Sequence, residues 1–423
     1  MEGSTDSTEG PSFQALMDSL EANGEAELDI SEHALEPLQV VALAKALEVN
    51  ITLQFLKLTF CQLGDEGAKA LANALKSNQS LLCLSIGMNG IGEEGGQALA
   101  KALEENSKLQ KLQMPFNQLG DAGGKALACA LKSNKSLRVL EVSSNGLGAD
   151  GGQAFAEVME CSALQTLDMS DNQLGGVGGK ALGSALKSNK SLLELNVVNN
   201  CIGAEGGQAF AEGLEGNSTL QKLVVTNNQL GVAGAQALAN GLKTNKALLE
   251  LRVDSNSIGA EGGQAFGKAL AENSTLQNLV LENNQLGDAG GKALGSALES
   301  NASLLALYVN SNGIGAEGGQ ALANALKSNK CLLELNLMNN NIGAEGGQAF
   351  GKALQENSTL QKLSMMDNQL ADLDEKAAQA LADALKSNTS LLVLEVRFNG
   401  FGAVGRQVLE EVGSTKPGFS LSL

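Results

Sequence analysis

The chain has one histidine, one tyrosine, no tryptophan and four prolines in 423 residues. Each scarcity removes a class of chemistry. With His33 alone, neither a Ser-His-Asp or Cys-His nucleophile of ordinary type nor a His-based zinc cluster can be assembled outside the segment that holds it. Six cysteines, Cys61, Cys83, Cys129, Cys161, Cys201 and Cys331, are scattered without pair spacing. The N-terminus, MEGSTDSTEGPS, has neither a basic region nor an apolar stretch. A reducing compartment, cytoplasmic or nuclear, is therefore expected. Basic residues are outnumbered, 29 against 47 acidic, for a net charge of -18. Nucleic acid and anionic membrane are poor partners for such a surface, because both need a basic face to displace counterions; a basic protein is the better expectation. Aromatics make up only 3% of the chain, which leaves the core to Leu, Ala, Ile and Val.

What the chain does have is a repeat. Leu332–Thr359, LLELNLMNNNIGAEGGQAFGKALQENST, is 28 residues long and nearly everything else varies it. Leu332, Leu335, Leu337, Asn340 and Ile342 follow LxxLxLxxNxI, whose Leu-x-Leu centre alternates as a strand does. Gly343–Gly347 then punctuates, and Ala349, Phe350, Ala353 and Leu354 recur at helical spacing. Glu345 sits where a helix N-terminus favours negative charge. Glu356-Asn357 ends the helix, Asn being able to take the left-handed conformation there.

This unit resembles the leucine-rich repeat family, in the 28-residue class found in ribonuclease inhibitor, in the activating protein of the Ran GTPase and in NOD-like receptors. The Asn slot can be walked as Cys61, Asn89, Asn117, Asn145, Asn172, Asn200, Asn228, Asn256, Asn284, Asn312, Asn340, Asn368 and Asn399. Every step is 28 except a 27 into Asn172 and a 31 into Asn399, the latter from an insertion, Asp372-Leu373-Asp374. The expected organisation is a disordered leader over 1–12, a capping repeat over 13–50 and thirteen repeats over 51–412, with a closing segment over 413–423. In the cap, Phe13, Leu16, Met17 and Leu20 share one helical face, and His33 holds the place of the Asn slot. Caps at both ends argue for a whole protein. Two flavours, NQLGDAGGKALxxALKSN and NxIGAEGGQAFxxALxENSTLQ, alternate and slip at Asn312, whose repeat begins as the second and ends as the first.

No unit can bury its own leucines, so stacking is obligatory: an α/β solenoid, with a parallel sheet at ~4.8 Å per strand and helices behind it. Helices are wider, at ~10 Å, so a horseshoe with the sheet on its concave face is expected. The Asn column should turn inward and satisfy loop backbone groups. Glycine pairs such as Gly95-Gly96 and Gly346-Gly347 should let neighbouring helices approach. Gly120–Ala126 and Gly175–Ala181 look superficially like phosphate loops, but the first Gly is misplaced and the closing Ser/Thr is missing.

A partner would meet the outward strand positions. Phe60, Met88 and Phe116 fall at one such position in consecutive repeats, joined by Phe55 and Pro115, with Phe398 at the far end. This trio reads either as a contact patch or as a shield for the cap or leader. Tyr308 and Met338 extend the face. Its middle carries Asp168, Asp171, Glu194, Glu250, Asp254, Glu282, Glu141 and Glu334 against few bases, either an acidic docking wall or a solvated surface. Ribonuclease inhibitor uses an acidic inner face on a basic partner, so the resemblance implies that mode. It also implies an alternative, a GTPase activator working through an arginine. Only Arg138, Arg252, Arg397 and Arg406 are present and none lies in the NxxG loop; Arg252 and Arg397 are expected on strands. A role akin to NOD-like receptors would be sensing alone, since no nucleotide-binding module is present. The expectation is a non-enzymatic protein-binding scaffold without catalytic residues, cofactor or metal.

Overall fold

The computed structural model describes residues 13–371 and 374–423. The leader expected over 1–12, Asp372 and Leu373 of the insertion, and the side chain of Leu16 lie outside the described residues. The chain divides into two compact units, the first ending at Gln173 and the second running from Leu174 to Leu423.

In the first unit the elements run α1 Phe13–Glu21, β1 Glu27–Asp29, α2 Pro37–Val49, β2 Phe55–Lys57, α3 Gly64–Ser77, β3 Cys83–Ser85, α4 Glu93–Glu105, β4 Lys111–Gln113, α5 Gly120–Ala130, β5 Val139–Glu141, α6 Ala149–Val158 and β6 Thr166–Asp168. In the second they run α7 Gly175–Ala185, β7 Glu194–Asn196, α8 Gly203–Gly216, β8 Lys222–Val224, α9 Gly231–Thr244, β9 Glu250–Arg252, α10 Gly259–Glu272, β10 Asn278–Val280, α11 Gly287–Leu298, β11 Ala306–Tyr308, α12 Ala316–Ser328, β12 Glu334–Asn336, α13 Gly343–Glu356, β13 Lys362–Ser364, α14 Lys376–Ser387, β14 Val393–Glu395, α15 Ala403–Ser414 and β15 Ser420–Ser422. Within each unit every strand pairs in parallel with the next, in chain order. No described helix is long and apolar enough to cross a membrane.

The register repeats the sequence period: Leu56 pairs with Leu84, and Leu251 with Leu279. The central leucines are buried from strand to strand, and each such burial is worth about 1.5–3 kcal/mol. Side chains before and after each central Leu stand on the opposite, open face. In the second flavour Phe155, Phe210, Phe266 and Phe350 fill the space behind the sheet. Glycine lets a helix that carries one of them come close: a Cβ on Gly183 would lie 2.5 Å from the backbone nitrogen of Phe210. Of the pairs expected to let helices approach, Gly96 does so, since its Cβ would lie 3.2 Å from the Cα of Gly123 in the next helix. Gly95 does so as well: its Cβ would strike Ile91 of its own loop at 2.6 Å and also Ala68 of the preceding helix at 2.9 Å.

The Asn slot is a hydrogen-bonded column. Asn256 is fully buried; its Oδ1 accepts from the backbone N–H of Asn228 at 2.9 Å and Leu230 at 3.2 Å, and its Nδ2 donates to the carbonyls of Val225, Val253 and Asp254 at 2.9–3.0 Å. Each Asn thus ties its own loop to the repeat before it, and Cys61, buried at the head of the column, takes its place with a thiol donating to the carbonyl of Ile30. His33 does not: its side chain is exposed, with Nδ1 2.9 Å from the Ser31 carbonyl.

A second column was not foreseen. Asn357, at a helix end where Asn can turn left-handed, is instead extended at φ -80°, ψ 133°. Its side chain is buried, with Nδ2 donating to the carbonyls of Leu326 and Asn329 in the preceding repeat and Oδ1 accepting from Thr359 and Leu360. Asn245 does the same with Leu214, Asn217, Ala247 and Leu248. At the last repeat Lys416 substitutes, its Nζ donating to the carbonyls of Leu385 and Asn388.

Candidate functional site

The open face of the sheet is what the core leaves over. On it, the position before the Asn slot has one backbone conformation in every repeat, with φ of +52° to +59° from Phe60 to Phe398. Left-handed backbone suits Asn, Asp and Ser, which fill the position through the middle of the chain, and costs a bulky side chain on the order of 1 kcal/mol. Phe60, Met88 and Phe116 bear that cost in three successive repeats. They are 56%, 46% and 54% exposed, so no burial repays it. Their amides donate to Gly87, Pro115 and Ser143, one repeat on, which holds the three in a row at ~4.8 Å. Phe55 stands beside them, also exposed, and Phe398 in the second unit is 77% exposed in the same conformation.

The acidic positions are more evenly balanced than composition suggests, because bases alternate with them along the strands. Lys111 lies 3.1 Å from Glu141, Lys222 lies 2.9 Å from Glu194 and 4.0 Å from Glu250, Arg252 is 3.7 Å from Asp254, and Lys362 is 2.8 Å from Glu334. Asp168 accepts from the backbone and hydroxyl of its neighbour Ser170. Asp171 is exposed on the left-handed position. Glu282 alone among the acidic positions singled out in the second unit has no basic side chain within ion-pair distance among the described residues. Four basic side chains, Lys111, Lys222, Arg252 and Lys362, are thus set among these acidic positions.

Tyr308 and Met338 stand on this face in neighbouring repeats. The Tyr308 hydroxyl donates to Glu334 at 2.8 Å. Burial, followed by that hydrogen bond to a carboxylate, pushes its pKa up to about 12. The arginines offered for phosphoryl transfer are otherwise engaged: Arg252, on β9, faces Asp254, and Arg397 lies in the turn after β14 rather than on a strand, its Nε donating to Ser422. No group of His, Cys, Asp and Glu among the described residues is arranged to hold a metal ion.

The residues sequence reading missed join one repeat to the next. Asp65, Asp121 and Asp288 each accept two backbone N–H groups from the start of the following helix. The signal was present, since the Asp belongs to one flavour and the Gly-Gly it caps to the other.

Comparison with known proteins bears on the whole array. The family description "Leucine Rich repeat" matches residues 49–72, 77–100, 105–128, 133–156, 160–183, 188–211, 216–239, 244–267, 272–295, 300–323, 328–351 and 387–409. No curated protein matches the chain. Among solved structures, the chain is similar to one described as the Rad7 and Elc1 complex in yeast, at 17% identity and a TM-score of 0.50, over 97% of this chain and 91% of that one. Another, leiomodin-1 actin-binding site 2, is 27% identical over 31% of this chain and 79% of that one, at a TM-score of 0.29. Twelve matched segments, covering well over half the residues and falling on the strand-loop-helix units described above, place the chain in the leucine-rich repeat family.

Proposed function

We propose that the chain is a non-enzymatic scaffold that docks a partner protein on the open face of its sheet, with the Phe60–Met88–Phe116 row as its anchor. One observation carries this reading: three large apolar side chains in successive repeats remain exposed in a backbone conformation that polar residues occupy from Ser144 to Asp367 at far less cost. Strain retained without burial is expected where selection acts on contact. The leucine-rich repeat fold supports it too, and the solved relative described as the Rad7 and Elc1 complex is recorded with a protein partner. The surrounding charges, alternating in sign, would set register and exclude wrong partners. A cytoplasmic or nuclear setting fits the six free thiols. The GTPase-activator alternative gains nothing from the placement of Arg252 and Arg397.

The test is capture by full-length protein followed by cross-linking mass spectrometry. Phe60→Glu and Phe116→Glu should each abolish the specific cross-links at unchanged thermal stability. Partners retained by both variants would reject the row as the anchor.

A further inference from the structure

The apolar row of the first unit has a carboxylate beyond each of its ends. The pairing of Glu27 with Phe55 carries the left-handed position back to Glu32, one strand before Phe60, with φ +67° and its amide donating to the Thr59 carbonyl. In the other direction the position continues through Ser144 to Asp171. The first unit therefore presents one column, Glu32, Phe60, Met88, Phe116, Ser144 and Asp171, whose terminal carboxylates are both exposed. The bases of this face are committed elsewhere: Lys57 lies 2.7 Å from Glu27 and Lys111 lies 3.1 Å from Glu141. Glu32 has no ion-pair partner among the described residues. At ~4.8 Å per strand the three apolar side chains span ~10 Å and the two carboxylates ~24 Å.

Hydrogen bonding and pitch limit what can lie along such a column. Strands β2, β3 and β4 are each paired on both sides, so an extended segment finds no strand edge beside the row. Laid across the strands instead, it would bring same-side residues ~6.8 Å apart and drift ~4 Å out of step over the row. An α-helix satisfies its own backbone and returns a side chain to one face about every 5.4 Å, so three turns stay within about 1 Å of the row. We propose that the segment docked on Phe60, Met88 and Phe116 is an amphipathic α-helix of the partner, running along the column, with one apolar side chain per turn over three turns and a lysine or arginine near each end, about sixteen residues apart. This rests on reading the row as the docking anchor. The basic ends answer Glu32 and Asp171, and the apolar turns cover the three side chains that the fold leaves in water.

The test is selection on the full chain from a display library of random peptides about twenty residues long, enough to cover the column as a helix. Peptides are kept when their binding is lost on Phe60→Asn with Phe116→Asn, which puts at both sites a residue that the left-handed position carries elsewhere in this chain. The kept peptides should share apolar residues at i, i+3 or i+4, and i+7, with a lysine or arginine outside them on each side, and should gain helical circular dichroism on binding. Glu32→Gln with Asp171→Asn should weaken them roughly fivefold at low salt, the scale of two exposed ion pairs. The same double variant should leave unchanged the affinity of those peptides remade with glutamine for their terminal bases. An alternating apolar pattern, acidic ends, or undiminished affinity in the neutralised variant would overturn the helix while leaving the row as an anchor. Failure to select any peptide that depends on Phe60 and Phe116 would instead remove the docking reading, and this inference with it.

Discussion

Asp121 caps a helix that is not its own: its Oδ1 accepts the backbone N–H of Gly151 at 2.7 Å and of Gly148 at 2.8 Å, at the start of α6 in the next repeat. Asp65 and Asp288 do the same for α4 and α12. The following helix then begins one residue later, after an extended glycine, as at Gly92, Gly148 and Gly315. Where the Asp is missing, at Gly176 and Val232, the next helix starts instead on a left-handed glycine, Gly203 or Gly259. The two-flavour alternation is in this sense a lock and its keyhole. The slipped repeat keeps it, since Asp288 and Lys292 meet the Gly318 amide and Glu317 of a unit that begins in the second flavour.

Asp121→Ala should therefore cost about 1 kcal/mol, the usual worth of an N-cap, and expose the Gly148 and Gly151 amides to faster hydrogen exchange. The converse is more demanding. Gly176 has open space around it, with no atom nearer a built Cβ than the Ile202 carbonyl at 3.5 Å. Gly176→Asp should install the missing cap on α8 and raise the denaturation midpoint, and a lowered midpoint would contradict the assignment.

The two asparagine columns predict equal sensitivity in places that sequence reading ranked very differently. Asn256→Ala removes the acceptor for two amides and the donor for three carbonyls, and Asn245→Ala removes a similar set. Each should cost roughly 1–3 kcal/mol or more, measured as denaturant stability. A silent Asn245→Ala would show that the second column is incidental.

Tyr308 should titrate late. With no other tyrosine and no tryptophan, ultraviolet absorbance follows its phenol alone, and the midpoint should fall at about 12 instead of near 10. Folding holds the neutral phenol, so the linked stability is fully present below pH 10 and is lost as pH rises from 10 toward 12. Glu334→Gln should bring the midpoint part of the way back, burial alone keeping it raised. A midpoint near 10 in the native protein would mean the phenol is solvated.

Much of this was legible in the residues. The 28-residue step placed Leu251 against Leu279 and Asn256 in the wall, because a period and an alternation suffice to locate side chains in a stack. The second column was hidden because Asn245 looks like any helix terminator; only the stack puts the Leu214 carbonyl within its reach. The pairing of the acidic positions was hidden for a related reason. Composition counts Glu194 and Glu250, but only register shows Lys222 between them. Backbone strain at Phe60 and Phe116 was invisible, since nothing local to those residues demands a left-handed turn; it follows from the loop that the Asn slot closes.

The most direct test of the central claim, that the Phe60–Met88–Phe116 row is kept for contact against the interest of stability, is to replace all three with asparagine. Asn is the natural occupant of this left-handed position at Asn199, Asn227, Asn283 and Asn339. Denaturant stability and partner cross-linking should be measured on the same preparation. The account predicts a protein more stable by about 1–3 kcal/mol, taking roughly 0.4–1 kcal/mol of relieved strain per site, that no longer captures its partner; a triple variant that is less stable, or that still captures it, would contradict it.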